Sequence, residues 1–174
     1  MSRIFGPVRQ IGYVVLSLDE AIDHWTRQAG VGPFFRFDHM ALSAFRVGGV
    51  ETAIDLSVAC AQSGPIQIEL VEQHNLDASP YKDFLDRHGP GMQHLGVWSQ
   101  TYDADIARLV AAGRRIAFEG ESAAARFTYF DAPYAPGCFM EVAEFSPILA
   151  AACQQIADAA VDWDGLDPVR QLTI

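Results

Sequence analysis

The chain has 174 residues, half of them hydrophobic and a fifth charged, with a formal net charge of −10. That length supports one domain with a sizeable core or two small modules tightly joined. The acidic excess argues against a general nucleic-acid binder, which needs clustered positive charge, and no apolar run approaches membrane-spanning length. The opening MSRIFGPVRQ lacks the apolar core of a signal peptide. Cys60, Cys138 and Cys153 are an odd set without a CxxC spacing, so they read as reduced thiols of a cytoplasmic protein.

In chain order, residues 11–16 read as a short apolar strand. A helix follows, with Asp19 and Glu20 complementing its dipole in the first turn and Leu18, Ile22, Trp25 and Ala29 on one face. FFRF, SAFRV and ETAIDLSVA are β-rich and lead to the strand IQIELVE. There Ile66, Ile68 and Leu70 alternate with Gln67, Glu69 and Val71, so a carboxylate shares a strand face with a glutamine and a valine. SPYKDFLDRHGPG predicts a helix with Ser79 as N-cap, Pro80 at the first helical position and Gly89 after the last turn. Residues 95–98 are again an apolar strand, and Asp103 and Asp105 open a helix carrying Ile106, Leu109 and Val110 on one face. RRIAFEG and RFTYFD are β-rich, and CFMEVAE closes the series with Glu141 inside the strand. A last helix is expected from residue 148 to about 163.

Two of these stretches repeat. Placing QIGYVVLSLDEAI over HLGVWSQTYDADI sets Gln10 on His94, Ile11 on Leu95, Gly12 on Gly96, Asp19 on Asp103 and Ile22 on Ile106. Placing IQIELVE over CFMEVAE sets Glu69 on Glu141 and Glu72 on Glu144. One unit has been duplicated. The step from Gln10 to Glu69 is 59 residues and that from His94 to Glu141 is 47, so the first copy carries 12 more, as a loop insertion would. Each copy reads β-α-β-β-β and leaves one sheet face to be buried. The expected fold is therefore α+β: two paired βαβββ modules forming a curved mixed sheet around a metal-binding cleft. The modules are 8–75 and 93–146, joined by a connecting helix in 76–92. The tail 147–174 has no counterpart in the first copy, so it is expected to pack outside the repeat or at a subunit contact.

A pseudo-twofold axis between the copies would bring Gln10, Glu69, His94 and Glu141 to one point in the cleft. One imidazole, two carboxylates and an amide oxygen suit a six-coordinate divalent ion with two open positions. Zinc, nickel, cobalt, manganese and magnesium all fit that donor set. Singly each residue has an ordinary explanation: a strand glutamate is usually solvated and a lone histidine usually structural. What sets them apart is that the same two strand positions are polar in both copies. His24, His39, His74 and His88 read as surface residues, Glu72 and Glu144 as solvated on the opposite sheet face, and Cys138 as a small buried hydrophobe. By strand parity Trp98 and Phe139 share the cleft face with His94 and Glu141 and would give the substrate an aromatic wall.

QIGYVVLSLDEAIDHW, IQIELVEQ, SPYKDFLDRHGPGMQHLGV and GCFMEVAEF resemble the vicinal oxygen chelate superfamily, which includes glyoxalase I, methylmalonyl-CoA epimerase, extradiol dioxygenases and bleomycin-resistance proteins. The resemblance covers about residues 8–146. The superfamily's four metal positions map onto Gln10, Glu69, His94 and Glu141. That set is similar to eukaryotic-type zinc glyoxalase I, whereas SPYKDFLDRHGPGMQHLGV resembles the epimerase branch. Where the epimerase pattern has a glutamate base before a Gly-Val pair, this chain has Val47-Gly48-Gly49-Val50. Only His94 matches the two histidines of the extradiol dioxygenases, which argues against oxygen chemistry.

The resemblance implies a metal-dependent lyase or isomerase that removes a proton next to a carbonyl, glyoxalase I-like or epimerase-like. The metal would stabilise an enediolate or enolate, and Glu141 would leave it to act as the base. The substrate would be a small molecule with a metal-chelating carbonyl, and the protein a homodimer, since paired modules expose sheet edges and the tail helix is rich in alanine and isoleucine. A rival reading is a non-catalytic module that sequesters a small hydrophobic molecule, as bleomycin-resistance proteins do.

Overall fold

The computed structural model describes residues 6–132 and 137–173. Its elements run β1 (Gln10–Val14), α1 (Leu18–Gln28), β2 (Phe34–Phe37), β3 (Ser43–Val47), β4 (Val50–Glu51), β5 (Leu56–Ser63), β6 (Ile66–Gln73) and α2 (Pro80–His88). They continue β7 (Gly91–Ser99), α3 (Tyr102–Ala111), β8 (Ile116–Glu121), β9 (Arg126–Asp131), β10 (Phe139–Glu144), α4 (Pro147–Ala160) and β11 (Val169–Arg170). Serine side chains cap three helices: Ser17 accepts from the amide of Glu20, Ser79 from that of Lys82 and Ser146 from that of Leu149. Pro80 stands in the first turn of α2 and Gly89 ends that helix at φ 72°, the left-handed conformation that glycine adopts without a Cβ clash.

All strands join one sheet in the order β11-β2-β5-β6-β1-β7-β10-β9-β8-β3-β4. The duplication is plain in it. The first half, β2-β5-β6-β1, is mirrored by β8-β9-β10-β7, and the halves meet where β1 runs antiparallel to β7. The closing strands β6 and β10 lie parallel to β1 and β7 respectively, so each glutamate strand flanks its opening strand. Helix α1 buries Leu18 and Ile22 against Phe34, Ala59, Ala61, Ile68 and Leu70 on one face of the first half, and Leu109 of α3 does the same against Val97, Phe130 and Val142 in the second. Both helices lie outside the curved sheet.

Three expectations are corrected. The opening strands span Gln10–Val14 and Gly91–Ser99 rather than 11–16 and 95–98, because pairing extends β7 back to the end of α2. The extra residues of the first copy are not a plain loop. They form the β3–β4 hairpin, which turns at Gly48 and Gly49, both at positive φ, and pairs with β8 of the second half. The first copy thus lends two strands to the far edge of the second, and β11 covers the opposite edge by pairing with β2. The sheet edges expected to be open for a partner subunit are capped by short strands within the chain.

The third correction concerns the tail. Helix α4 ends at Ala160, and it does not pack outside the repeat. Its Ile156 joins a core with Phe35, Val58, Cys60 and Val71, on the sheet face opposite α1. Strand β5 is consequently buried on both faces from Leu56 to Ala61. In the second half α2 takes the equivalent place, inserting Tyr81 and Phe84 among Phe118 and Tyr129. Each half of the concave face is covered by a helix of the chain itself.

Candidate metal centre

Strand register brings the repeated polar residues together. Gly12 of β1 lies opposite Glu69 on β6 and His94 on β7, and Gly96 of β7 lies opposite Gln10 on β1 and Glu141 on β10. Each central glycine is therefore flanked by two of the four side chains. A Cβ at Gly12 would overlap the His94 ring, and one at Gly96 would stand 2.8 Å from Gln10 Oε1 and 3.1 Å from Glu141 Oε2. The two glycines clear the space that the polar groups fill. Their equivalence was visible in the repeat, as Gly12 over Gly96, but glycine's usual reading as a flexible residue hid a steric role.

His94 Nε2 is 3.1 Å from Glu69 Oε2 and 3.6 Å from Glu141 Oε2. The Gln10 amide donates to Gln67 Oε1 at 2.8 Å and to Glu69 Oε1 at 3.3 Å. The side chains of His94, Glu141 and Glu69 are 0, 9 and 16 % exposed, which puts charge where water cannot offset it. Burial pushes the Glu141 carboxyl up to about 7, and the Glu69 charge adds to the rise against the opposing pull of His94 and a hydrogen bond from Tyr129. Burial lowers the His94 imidazolium, but the neighbouring Glu69 and Glu141 carboxylates outweigh it and the net shift is upward. Burial likewise raises the thiols of Cys60 and Cys153 and the hydroxyl of Tyr129, so these groups stay neutral near pH 7.

Among the described residues two buried side-chain polar atoms have no hydrogen-bond partner: His94 Nε2 and Glu141 Oε2. Glu69 is close enough to attract the imidazole without being aligned to bond Nε2. A buried unsatisfied polar atom costs about 1–3 kcal/mol, and the cost falls away if a cation takes the free lone pairs. Ligands about 2.1 Å from one ion and roughly at right angles stand about 3 Å apart, close to the separations around His94. Among the described residues no three His, Cys, Asp or Glu side chains are arranged as a group that could hold a metal ion. The chemistry of these donors, one imidazole, two carboxylates and an amide oxygen, is compatible with a divalent ion.

The two aromatic residues placed on the cleft face part company. Phe139 packs edge-on to Phe118 at 5.2 Å and to Tyr129 at 6.4 Å, and Tyr129 in turn stands edge-on to His94 at 5.1 Å. Trp98 stacks on Phe145 at 5.2 Å, near the end of β7. Glu72 and Glu144 do face away from the cleft, but both are engaged: Glu72 accepts from the amide of Leu18 at the start of α1, and Glu144 pairs with Arg126. His39 and His74 lie against each other at 4.7 Å with tilted rings and bond Asp55 and Ser57, and His88 lies tilted against Phe84 at 5.1 Å. Cys60, Cys153, Gln67 and Tyr129 border the centre without having been singled out. Gln67 and Tyr129 share strand parity with Glu69 and Glu141, a weak signal; Cys153 comes from the tail helix and had none.

The family model for the glyoxalase/bleomycin resistance protein/dioxygenase superfamily matches residues 9–130. The chain belongs to that superfamily. Among solved structures, methylmalonyl-CoA epimerase from Mycobacterium tuberculosis is 24% identical with a TM-score of 0.61, over 87% of this chain and 95% of that one. A hypothetical protein from Bacillus halodurans is 18% identical with a TM-score of 0.62, over 80% and 94%. The Streptomyces coelicolor epimerase in complex with 2-nitronate-propionyl-CoA is 17% identical with a TM-score of 0.57, over 81% and 95%. Among proteins of curated function, none matches. At these identities the neighbours show the fold, and the superfamily's two-module sheet is the one described above.

Proposed function

We propose that the protein is a metal-dependent lyase or isomerase of the superfamily that abstracts a proton next to a carbonyl. The observation that carries this reading is the pair of unpartnered buried atoms, His94 Nε2 and Glu141 Oε2, brought together because Gly12 and Gly96 carry no Cβ. Gln10, Glu69, His94 and Glu141 would hold one divalent ion, with zinc, nickel, cobalt, manganese and magnesium all compatible with the donors. When bound, such an ion supplies Lewis-acid stabilisation of negative charge developing on a substrate oxygen. Glu141 is the base: the substrate C–H bond breaks, its proton passes to the Glu141 carboxylate and the electron pair moves toward the carbonyl. In the metal-free chain burial pushes the Glu141 carboxyl up to about 7, so a carboxylate released from the ion into that setting can take and return a proton at neutral pH, to the same carbon or to its neighbour. His94 and Glu69 stay in place and orient the site, and α2 and α4 keep water from it.

The substrate would be a small molecule with a chelating carbonyl; the epimerase solved with methylmalonyl-CoA makes acyl-CoA thioesters the first class to screen. The test has two parts. Protein purified without chelator should carry a divalent ion in stoichiometric amount. Incubation in heavy water should then exchange the α-proton of a true substrate, read by NMR. Protein without stoichiometric metal, or without exchange across thioesters, glutathione adducts and hydroxyketones, would refute the enzyme.

A second reading is a module that sequesters a small hydrophobic molecule without turnover, and the aromatic side chains of Tyr129 and Phe139 beside His94 are what favour it. Tight ligand binding by metal-free protein would select it. A homodimer in the cytoplasm completes the proposal: with both edges capped, its support is exposed apolar surface such as Leu16, Ile148 and Val161. A monomer by light scattering at micromolar concentration would remove the dimer. Among the described residues no helix is long and apolar enough to cross a membrane.

A further inference from the structure

Gln67 is 3 % exposed, sits two residues before Glu69 on β6, and has a phenylalanine, Phe139, as its counterpart in the second copy. A buried primary amide needs a partner for each polar group. Its Oε1 accepts from Gln10 Nε2 at 2.8 Å, and its Nε2 points to Cys153 Sγ of α4 at 3.8 Å. The Gln10 amide nitrogen is thus shared between Gln67 and Glu69. With its nitrogen held on that side, the Gln10 oxygen faces the space over Gly96, beside Glu141 Oε2.

An amide can bind a cation only through its oxygen, and a freely rotating glutamine presents nitrogen as often as oxygen. We propose that Gln67 is a positioning residue: it fixes the Gln10 side chain so that the amide oxygen faces the centre, and it links that centre to the C-terminal helix through Cys153. This rests on the metal reading above for its consequence, though not for its geometry. The asymmetry of the repeat follows. His94 is held from a different position, its Nδ1 paired with Oε1 of the buried Gln93 at 3.2 Å, so the equivalent of Gln67 is free to be the aromatic Phe139.

The test compares Gln67→Met, which keeps length and loses the acceptor, with Gln67→Glu, which keeps an acceptor oxygen. Cobalt(II) affinity, by chelator competition on the otherwise metal-free full chain, should fall about tenfold in Gln67→Met, the scale for losing an outer support of a metal ligand, and stay within about threefold in Gln67→Glu. In a Gln10→Ala background Gln67→Met should cost nothing further, because the residue it positions is gone. Equal affinity for Gln67→Met and the parent chain, or an undiminished loss in the Gln10→Ala background, would overturn the role. Relaxation of the 15N-labelled Gln10 side-chain amide gives a readout without metal: restricted in the parent chain and mobile, with an order parameter below about 0.6, in Gln67→Met. A parent chain that binds no cobalt would sink the proposed metal centre instead. The amide measurement then decides the positioning role, which an unchanged mobility would refute.

Discussion

The two halves share one strand order and differ in what they place on the concave face. The first half contributes Gln10, Gln67 and Glu69, with the thiols of Cys60 and Cys153 and the small residues of α4 beside them. The second contributes His94 and Glu141 within an aromatic group of Tyr81, Phe118, Tyr129 and Phe139. The two frames are alike, and their side chains differ: one half of the concave face is polar and the other largely aromatic. The two carboxylates also differ in burial, which is the physical ground for proposing Glu141 as the base. The pKa of Glu141 is raised to about 7, with burial the largest cause, whereas the Glu69 side chain is nearly twice as exposed and is tied to Gln10.

The largest effect is expected where the halves meet. Gly12→Ala puts a methyl group into the His94 ring, so the imidazole must leave or the strands must part. Stoichiometric metal should be lost and the melting temperature should fall by several degrees; a variant that keeps both would show that the clearance at Gly12 is not needed. Gly96→Ala, which meets Gln10 and Glu141 less closely, should be milder.

Exchanging carboxylates separates the halves by function. Glu141→Gln should lower turnover per bound metal by roughly a hundredfold or more, the scale for a lost general base, with a modest fall in metal content. Glu69→Gln should do the reverse, losing metal and keeping most of the turnover per metal. Equal losses after correction for metal content would make Glu141 a ligand only.

The metal-free protein should show the same asymmetry in its pH dependence. A carboxyl raised in the folded state gives stability that is complete below its unfolded value, 4.5, and is lost as pH rises through about 7. His94, also raised, contributes in the same direction, complete below its unfolded value and lost as pH rises through its folded one. Thermal melts of metal-free protein should therefore fall between about pH 5 and 8, and Glu141→Gln should flatten much of that slope. A rising profile would contradict the burial of Glu141. Below about pH 4 the lowered carboxyls of Asp103, Asp105 and Glu144 reverse the trend, since their stabilisation is lost as pH falls through their folded values.

The smallest effect belongs to the repeated glutamates that face away. Glu144→Gln removes one partner of a largely exposed Arg126 pair and should cost less than about 1 kcal/mol. Glu72→Gln keeps an acceptor for Leu18 and should be similarly mild. Neither should change metal content; a change at either would mean that the outer face communicates with the centre.

Periodicity and self-similarity carried most of the fold because both are local properties of the chain. Alternation in IQIELVE and CFMEVAE, and the coincidence of Gln10 with His94, are enough to set register and to choose which polar residues meet. The capping of α2 by Ser79, Pro80 and Gly89 was legible for the same reason. What stayed hidden depends on contacts between residues far apart in sequence. Nothing in SAFRV says that it will cross to β8 of the other half, and nothing in α4 says that Ile156 and Cys153 will seat on the concave face. Trp98 and Phe139 obey the same parity, yet one lies among the aromatic residues beside His94 and the other stacks on Phe145 at the strand end, since parity fixes a face and not a position along it. The sequence by itself determined two βαβββ frames and the four polar positions they repeat. Only the tertiary structure decided that two glycines clear the centre, that Gln67 holds Gln10 and that the chain's own helices close the cleft, because steric clearance, amide orientation and burial exist only once distant strands are side by side.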